Sequence, residues 1–192
     1  MEKDKLSVIA NISNHHVHLS ETDMEKLFGA GSKLTKERGL LQPGQFASTE
    51  CVTLKGPSGK IEKVRLLGPI RKRTQVEISR TDSFRLGINP PVRDSGNVEG
   101  SAPIIIIGPA GTVNLQEGCI IAWRHIHMTP RDAELFGVKD KDLVRVKTSG
   151  PRSVIFENTL IRVRDDFALE CHIDTDEANT CDLKNGDTVS IV

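Results

Sequence analysis

His16-Val17-His18-Leu19-Ser20, running on to Leu27-Phe28-Gly29, and His125-Ile126-His127-Met128-Thr129, running on to Leu135-Phe136-Gly137, are two copies of one pattern. Each reads His-aliphatic-His-apolar-hydroxyl, then an acidic turn, then Leu-Phe-Gly. The start of each copy alternates as a strand does, and residues i and i+2 of a strand face the same way. Each His-x-His therefore presents two imidazoles side by side. The remainder of each copy reads as a short helix. Ser20 and Thr129 stand at its N-cap, with Asp23 three residues after Ser20, Pro130 at the first helical position of the second copy, and Gly29 and Gly137 at its end. The copies lie a little over half the chain apart, which predicts a duplicated unit.

Working outward, each helix is followed by strand signals. Phe46 to Lys55 and Lys60 to Leu67 flank the turn Gly56-Pro57-Ser58-Gly59, and Thr74 to Ser79 is a third strand. In the second half, Leu143 to Thr148, Val154 to Val163, Ala168 to Ile173 and the closing Gly186-to-Val192 segment read as strands. Leu6 to Ile12 is the strand that delivers the first histidines, and Gly118 to Ile126 delivers the second pair. The expected fold is mainly β with short helices. It comprises two related small β-barrel domains packed with the active site between them. The expected divisions are 1–81, a Pro/Gly-rich connector with a buried strand over 82–117, and 118–192.

Composition narrows the class. Of 192 residues, 37% are hydrophobic and 27% charged, as in an ordinary globular protein, and the formal net charge of zero argues against a nucleic-acid binder. The longest apolar run, Ile104 to Ile107, is far too short to span a bilayer. Cys51, Cys119, Cys171 and Cys181 form no C-x-x-C pair, which predicts reduced, buried thiols, and the opening Met1-to-Lys5 segment lacks a secretory pattern. The expected location is cytoplasmic.

The chain has six histidines, and five of them fall in the two pairs or in the late strand at His172. Setting Val76-Glu77 against Leu169-Glu170 puts His172 two residues beyond the Glu77 equivalent, on the same strand face. Each half then offers a His pair and one further donor: His16, His18 and Glu77 in the first, His125, His127 and His172 in the second. Three protein ligands with an open position are the usual layout of a catalytic metal, and His with carboxylate suits zinc, cobalt, manganese or iron. A single His-x-His is more often a plain surface or core pair; the repetition and the later donors argue for ligands. His15 points away from His16 and is expected to be exposed or to support a ligand from behind, and Glu170 reads as a surface acid. In Arg71-Lys72-Arg73, which leads into the Glu77 strand, Arg71 and Arg73 are candidates to grip an anion such as phosphate. Gly108-Pro109-Ala110-Gly111 lacks the length and Lys of a P-loop.

These residues carry a resemblance. Asn14 to Ser20, Leu67-Gly68-Pro69 through Thr74-Gln75-Val76-Glu77-Ile78-Ser79, Gly87-Ile88-Asn89-Pro90-Pro91-Val92-Arg93 to Gly108-Pro109, and Arg124-His125-Ile126-His127 are similar to the PduL-type phosphotransacylases, the phosphate propanoyltransferase family associated with bacterial microcompartments and propanediol degradation. The resemblance runs over nearly the whole chain. It implies a phosphate acyltransferase that exchanges a propanoyl or acetyl group between coenzyme A and phosphate at a dimetal site of two divalent ions, usually Zn2+. It implies that His16, His18 and Glu77 hold one ion and His125, His127 and His172 the other, and that Arg71 binds phosphate. It further implies that Ile12, Ser13, Asn14, Arg65 and Asn179 line the coenzyme A site. The implied partners are acyl-CoA, phosphate and acyl phosphate, with no nucleic acid and no membrane; a homo-oligomer and shell association stay open. Members of the family often carry Arg where this chain has His15. Encapsulated members carry a longer amphipathic leader than the short charged segment here, so a free cytoplasmic form is expected. The alternative activity is a metal-dependent hydrolase of acyl or phosphate esters; a non-catalytic barrel subunit of a shell is the other rival.

Overall fold

The computed structural model describes residues 6–192; Met1 to Lys5, on which the expectations about a leader rest, lie outside them. The strands are β1 Ser7–Ser13, β2 His16–His18, β3 Lys36–Gly39, β4 Phe46–Lys55, β5 Lys60–Gly68, β6 Gln75–Glu77, β7 Val92–Arg93, β8 Ala102–Ile107, β9 Thr112–Ala122, β10 His125–Met128, β11 Leu143–Lys147, β12 Ile155–Val163, β13 Glu170–Asp174 and β14 Thr188–Ile191. The helices are α1 Glu21–Phe28, α2 Arg80–Leu86, α3 Pro130–Phe136 and α4 Thr175–Cys181. No helix among the described residues is long and apolar enough to cross a membrane.

The chain divides into two units. One comprises the described part of Met1–Ser13, Leu41–Pro43 and Trp123–Val192, and is here the C-terminal barrel; the other, Asn14–Leu40 and Gly44–Ala122, is the central barrel. In the C-terminal barrel six strands close in the order β1-β13-β10-β12-β11-β14. In the central barrel β4-β5-β2-β6-β9 closes through β8, which pairs with both β4 and β9. The fold is thus mainly β, with two closed six-stranded barrels and short helices. Closure removes the exposed sheet edges that short strands would otherwise present.

The wiring of the two barrels is the same. β2 runs parallel to β5 and antiparallel to β6, as β10 runs parallel to β12 and antiparallel to β13. β9 lies parallel to β6 and antiparallel to β8, as β1 lies parallel to β13 and antiparallel to β14. Each sequence copy therefore begins with a strand that belongs to the other copy's barrel. β1 sits in the C-terminal barrel and leads into β2 of the central one. β9 sits in the central barrel and leads into β10 of the C-terminal one.

Strand periodicity fills each core. Val17, Leu54, Leu66, Val76, Ile106 and Cys119 pack within the central barrel, and Val8, Ile126, Met128, Ile161 and Val189 within the C-terminal one. Each Val, Leu or Ile so buried contributes about 1.5–3 kcal/mol. Val17 and Ile126 point into these cores, so their neighbours in each His-x-His point to the opposite face. The expected caps form. Ser20 accepts from the Asp23 amide, while Thr129 and Asp132 make a reciprocal capping box before Gly137, which adopts the left-handed conformation at the helix end. At α1 the return bond is absent because Asp23 Oδ2 accepts instead from Thr74 Oγ1 at 2.6 Å. Two further helices lie beyond those the sequence pattern marks. α2 starts from a Ser79/Asp82 box and α4 from an Asp174/Glu177 box, each just after the strand that bears the later donor. Residues 82–117, read as a connector with a buried strand, carry most of α2, then β7, β8 and the first part of β9.

Candidate metal centre

In the central barrel, β2 and β6 pair with His16 opposite Glu77 and His18 opposite Gln75. The candidate ligand atoms of His16, His18 and Glu77 all lie within 4.8 Å of one another, and all three residues are buried. His16 Nδ1 lies 2.8 Å from the Asn14 carbonyl and His18 Nδ1 3.2 Å from that of Leu67. A carbonyl can only accept, so each Nδ1 carries a proton, and in the neutral ring Nε2 keeps its lone pair. His16 Nε2 stands 3.5 Å from Glu77 Oε2. That matches the roughly 3.3 Å edge of a tetrahedron with metal–ligand bonds of about 2.0 Å. The second oxygen of Glu77, Oε1, accepts from Gln75 Nε2 at 2.5 Å and from Ser95 Oγ at 2.7 Å.

The charges of this triad are tightly linked. Burial opposes ionised Glu77, but the charge and hydrogen bond of His16, then His18 and Ser95, outweigh it and hold the carboxyl well below its usual range. Burial also opposes a charged His16, yet the Glu77 carboxylate and the Asn14 carbonyl raise its pKa above the ordinary value. His18 is pushed well below that value by burial, by His16 and by Arg71. The field of Arg71 reaches both imidazoles. Its backbone N–H donates to Leu19 O at 2.8 Å, which ties it to the end of β2. Of the basic run, Arg73 is engaged with Glu117 and Lys72 is exposed, whereas Arg71 is half-buried.

The C-terminal barrel repeats the arrangement. His125 and His127 on β10 meet His172 on β13, with His125 opposite His172 and His127 opposite Glu170. Their ligand atoms meet the same 4.8 Å limit. The rings of His125 and His172 stack at 5.0 Å and that of His127 stands edge-on to both. His125 Nδ1 lies 2.7 Å from Trp123 O, as His16 does from Asn14 O. Three imidazoles in one triad, and two with a carboxylate in the other, fit a divalent ion such as zinc.

The register corrects two sequence expectations. His172, not Glu170, occupies the place of Glu77, because each lies opposite the first histidine of its pair; Glu170 corresponds to Gln75. Nor is Glu170 a surface acid: it is 2% exposed. His15 is half-buried, with Nδ1 3.1 Å from Asp82 Oδ2, outside the triad. Of the residues expected at the coenzyme A site, Ile12, Ser13 and Asn179 belong to the C-terminal unit and Asn14 and Arg65 to the central one. Asn14 and Asn179 are exposed, and Arg65 pairs with Glu37. Cys119, Cys171 and Cys181 are buried as expected, whereas Cys51 is half-buried. Burial pushes the Cys119 and Cys171 thiols up to about 12, which removes them as nucleophiles near neutral pH.

Fold and site together define a class: a double β-barrel protein whose repeated strand brings a histidine-based divalent-metal donor set to each barrel. The family model for phosphate propanoyltransferase matches residues 9–184. The chain is 61% identical over 186 residues to a phosphate propanoyltransferase of Thermotoga maritima, covering 96% of this chain and 89% of that protein. It is 51% identical over 190 residues to one of Rhodobacter capsulatus, covering 99% and 88%. To one of Priestia megaterium it is 53% identical over 186 residues, covering 97% and 86%. The chain belongs to the phosphate propanoyltransferase family, a family of acyltransferases.

Proposed function

We propose that the chain is a phosphotransacylase that interconverts acyl-CoA plus phosphate with acyl phosphate plus coenzyme A, with propanoyl or acetyl as the acyl group. His16, His18 and Glu77 would hold one divalent ion and His125, His127 and His172 a second, zinc suiting both donor sets. The observation that carries the reading is the buried His16, His18 and Glu77 donor set with the Arg71 backbone bonded to Leu19 at the end of β2. The charge of Arg71 acts on His16 and His18. A fixed cation next to a metal donor set suits a reaction between two anionic substrates.

Arg71 would grip phosphate with two parallel charge-assisted hydrogen bonds and hold one oxygen toward the thioester carbonyl. That oxygen forms the new C–O bond as the C–S bond breaks and the thiolate departs with the electron pair. Divalent ions held by the triads would supply Lewis-acid charge to the transfer. Glu77 stays ionised in its buried position, and His18 stays neutral with its Nε2 lone pair available. With Cys119 and Cys171 held as thiols, direct transfer without an acyl-enzyme fits the chain. Ile12, Ser13, Asn14, Arg65 and Asn179 would receive coenzyme A. The test is Arg71→Ala, with thiol release followed against phosphate concentration on protein of measured metal content. We expect metal content to be retained and the KM for phosphate to rise. An unchanged phosphate dependence would remove Arg71 from its role.

A further inference from the structure

Behind His172 lies a carboxylate that the reaction above does not use. His172 Nε2 is 2.8 Å from Glu170 Oε2. Glu170 is itself clamped. Its Oε1 accepts from Asn11 Nδ2 at 2.7 Å, and its Oε2 from Gln42 Nε2 at 2.7 Å. Gln42 is fixed in turn, since Nε2 also donates to Ala168 O at 2.9 Å and Oε1 accepts from Ala168 N at 3.2 Å. Three donors thus converge on one buried carboxylate, drawn from β1, from Leu41–Pro43 and from β13. A group held by donors on two sides can only accept from the imidazole, so the His172 proton resides on Nε2 and the Nδ1 lone pair is left for a ligand.

The paired barrels show what this charge is for. Gln75 occupies the same register position opposite His18 that Glu170 occupies opposite His127. In the central barrel the carboxylate, Glu77, belongs to the triad and the amide of Gln75 holds it from behind at 2.5 Å. In the C-terminal barrel the ligand position is an imidazole and the carboxylate stands behind it. Each centre thus contains two histidines of one strand and one carboxylate, with the carboxylate moved one partner outward in the second.

We propose that Glu170 is a positioning residue for a metal at the C-terminal triad: it fixes the tautomer and ring orientation of His172 and supplies, through that imidazole, the negative charge that Glu77 supplies directly in the central barrel. The proposal rests on the reading of His125, His127 and His172 as metal ligands. A carboxylate behind a histidine ligand makes it a stronger donor, and losing such a partner weakens metal binding by about 10- to 100-fold.

The experiment compares zinc-loaded native protein with Glu170→Gln, His172→Ala and the double variant, titrated with a chromophoric zinc chelator, and repeats the comparison with cobalt to read its visible absorption. Glu170→Gln keeps the volume, but its amide must turn an NH2 toward the donor of Asn11 or Gln42. We expect one of two zinc equivalents to bind about 10- to 100-fold more weakly, and the cobalt absorption of that centre to shift. His172→Ala should weaken the same equivalent, and the double variant should weaken no other. Native affinity and an unchanged cobalt spectrum in Glu170→Gln, with metal loss in His172→Ala, would overturn the proposal and leave the triad a metal site. Native affinity in His172→Ala would overturn both together. Asn11→Ala, at a half-buried position, serves if Glu170→Gln does not fold; it should loosen the same equivalent to a smaller degree, and unchanged affinity there would refute the clamp.

Discussion

Glu77→Gln separates a metal ligand from a buried structural acid. The residue is 7% exposed, and its Oε1 accepts from both Gln75 and Ser95. Truncation to Ala would orphan those two donors at about 1–3 kcal/mol each, so a loss of activity would prove little. The amide keeps the volume and an acceptor oxygen for Ser95, and removes the charge. A zinc ion held by four protein ligands contributes about 10–16 kcal/mol of binding, which apportions to about 3 kcal/mol per ligand. Loss of one ligand therefore weakens the central ion roughly 100-fold. The measurement is metal per chain after equilibrium dialysis against graded chelator, alongside thermal melts of the metal-free forms. The variant should keep the C-terminal ion, release the central one at about 100-fold lower chelator strength, and lose phosphate-dependent thiol release. Measured at a pH high enough for His16 to be neutral, so that its pair with Glu77 no longer contributes, the metal-free melts should agree to about 4 °C, the shift that 1 kcal/mol produces in a chain of this size. Retention of both ions at native affinity would refute Glu77 as a ligand.

The other predictions concern the same barrel. Arg71→Ala removes two charge-assisted hydrogen bonds to phosphate at about 1.5–3 kcal/mol each in full burial; at a half-buried site this amounts to roughly a 10- to 100-fold rise in the KM for phosphate. Arg71→Lys keeps the charge without the planar fork and should fall between the two. The stability that metal confers should also depend on pH. In the metal-free protein the His16 pKa is raised above 6.5 by Glu77. That pair stabilises the fold fully below the ordinary histidine value and ceases to do so as pH rises through the folded-state value. Metal displaces the His16 proton, so the bound form lacks this dependence. His18, whose pKa is depressed, opposes folding only below 6.5 and does not act above it. The Tm gain on adding zinc should therefore widen as pH is raised above 6.5, as differential scanning fluorimetry would show. A gap that narrowed over that range would contradict the proton assignment.

The triads were legible because a strand has period two. His16/His18 and His125/His127 could only share a face, and Val17 and Ile126 could only point into the core. Ser20, Thr129 and Gly137 marked the first helix of each half by local hydrogen bonding, which sequence carries. Asp174 followed by Glu177 is an equally readable capping box for α4, masked by the strand-rich stretch around it. The exchange of β1 and β9 between barrels was not legible, because alternation announces a strand but not its partner. The same limit misplaced Glu170. Its likeness to Glu77 suggested the alignment, whereas the register is fixed by pairing with His125 and His127. Gln42, Asn11 and Ser95 left no sequence signal. Gln42 meets Glu170 from 128 positions away, through a contact that only the closed fold creates.

Transfer to phosphate is tested most directly by the products. Metal-loaded protein would be given propanoyl-CoA with and without phosphate, with free thiol measured and acyl phosphate trapped as its hydroxamate. Phosphotransacylation predicts one acyl phosphate per thiol released and no sustained thiol release when phosphate is omitted. Steady thiol release in phosphate-free buffer, with free propanoate as the product, would contradict it and make the protein a hydrolase.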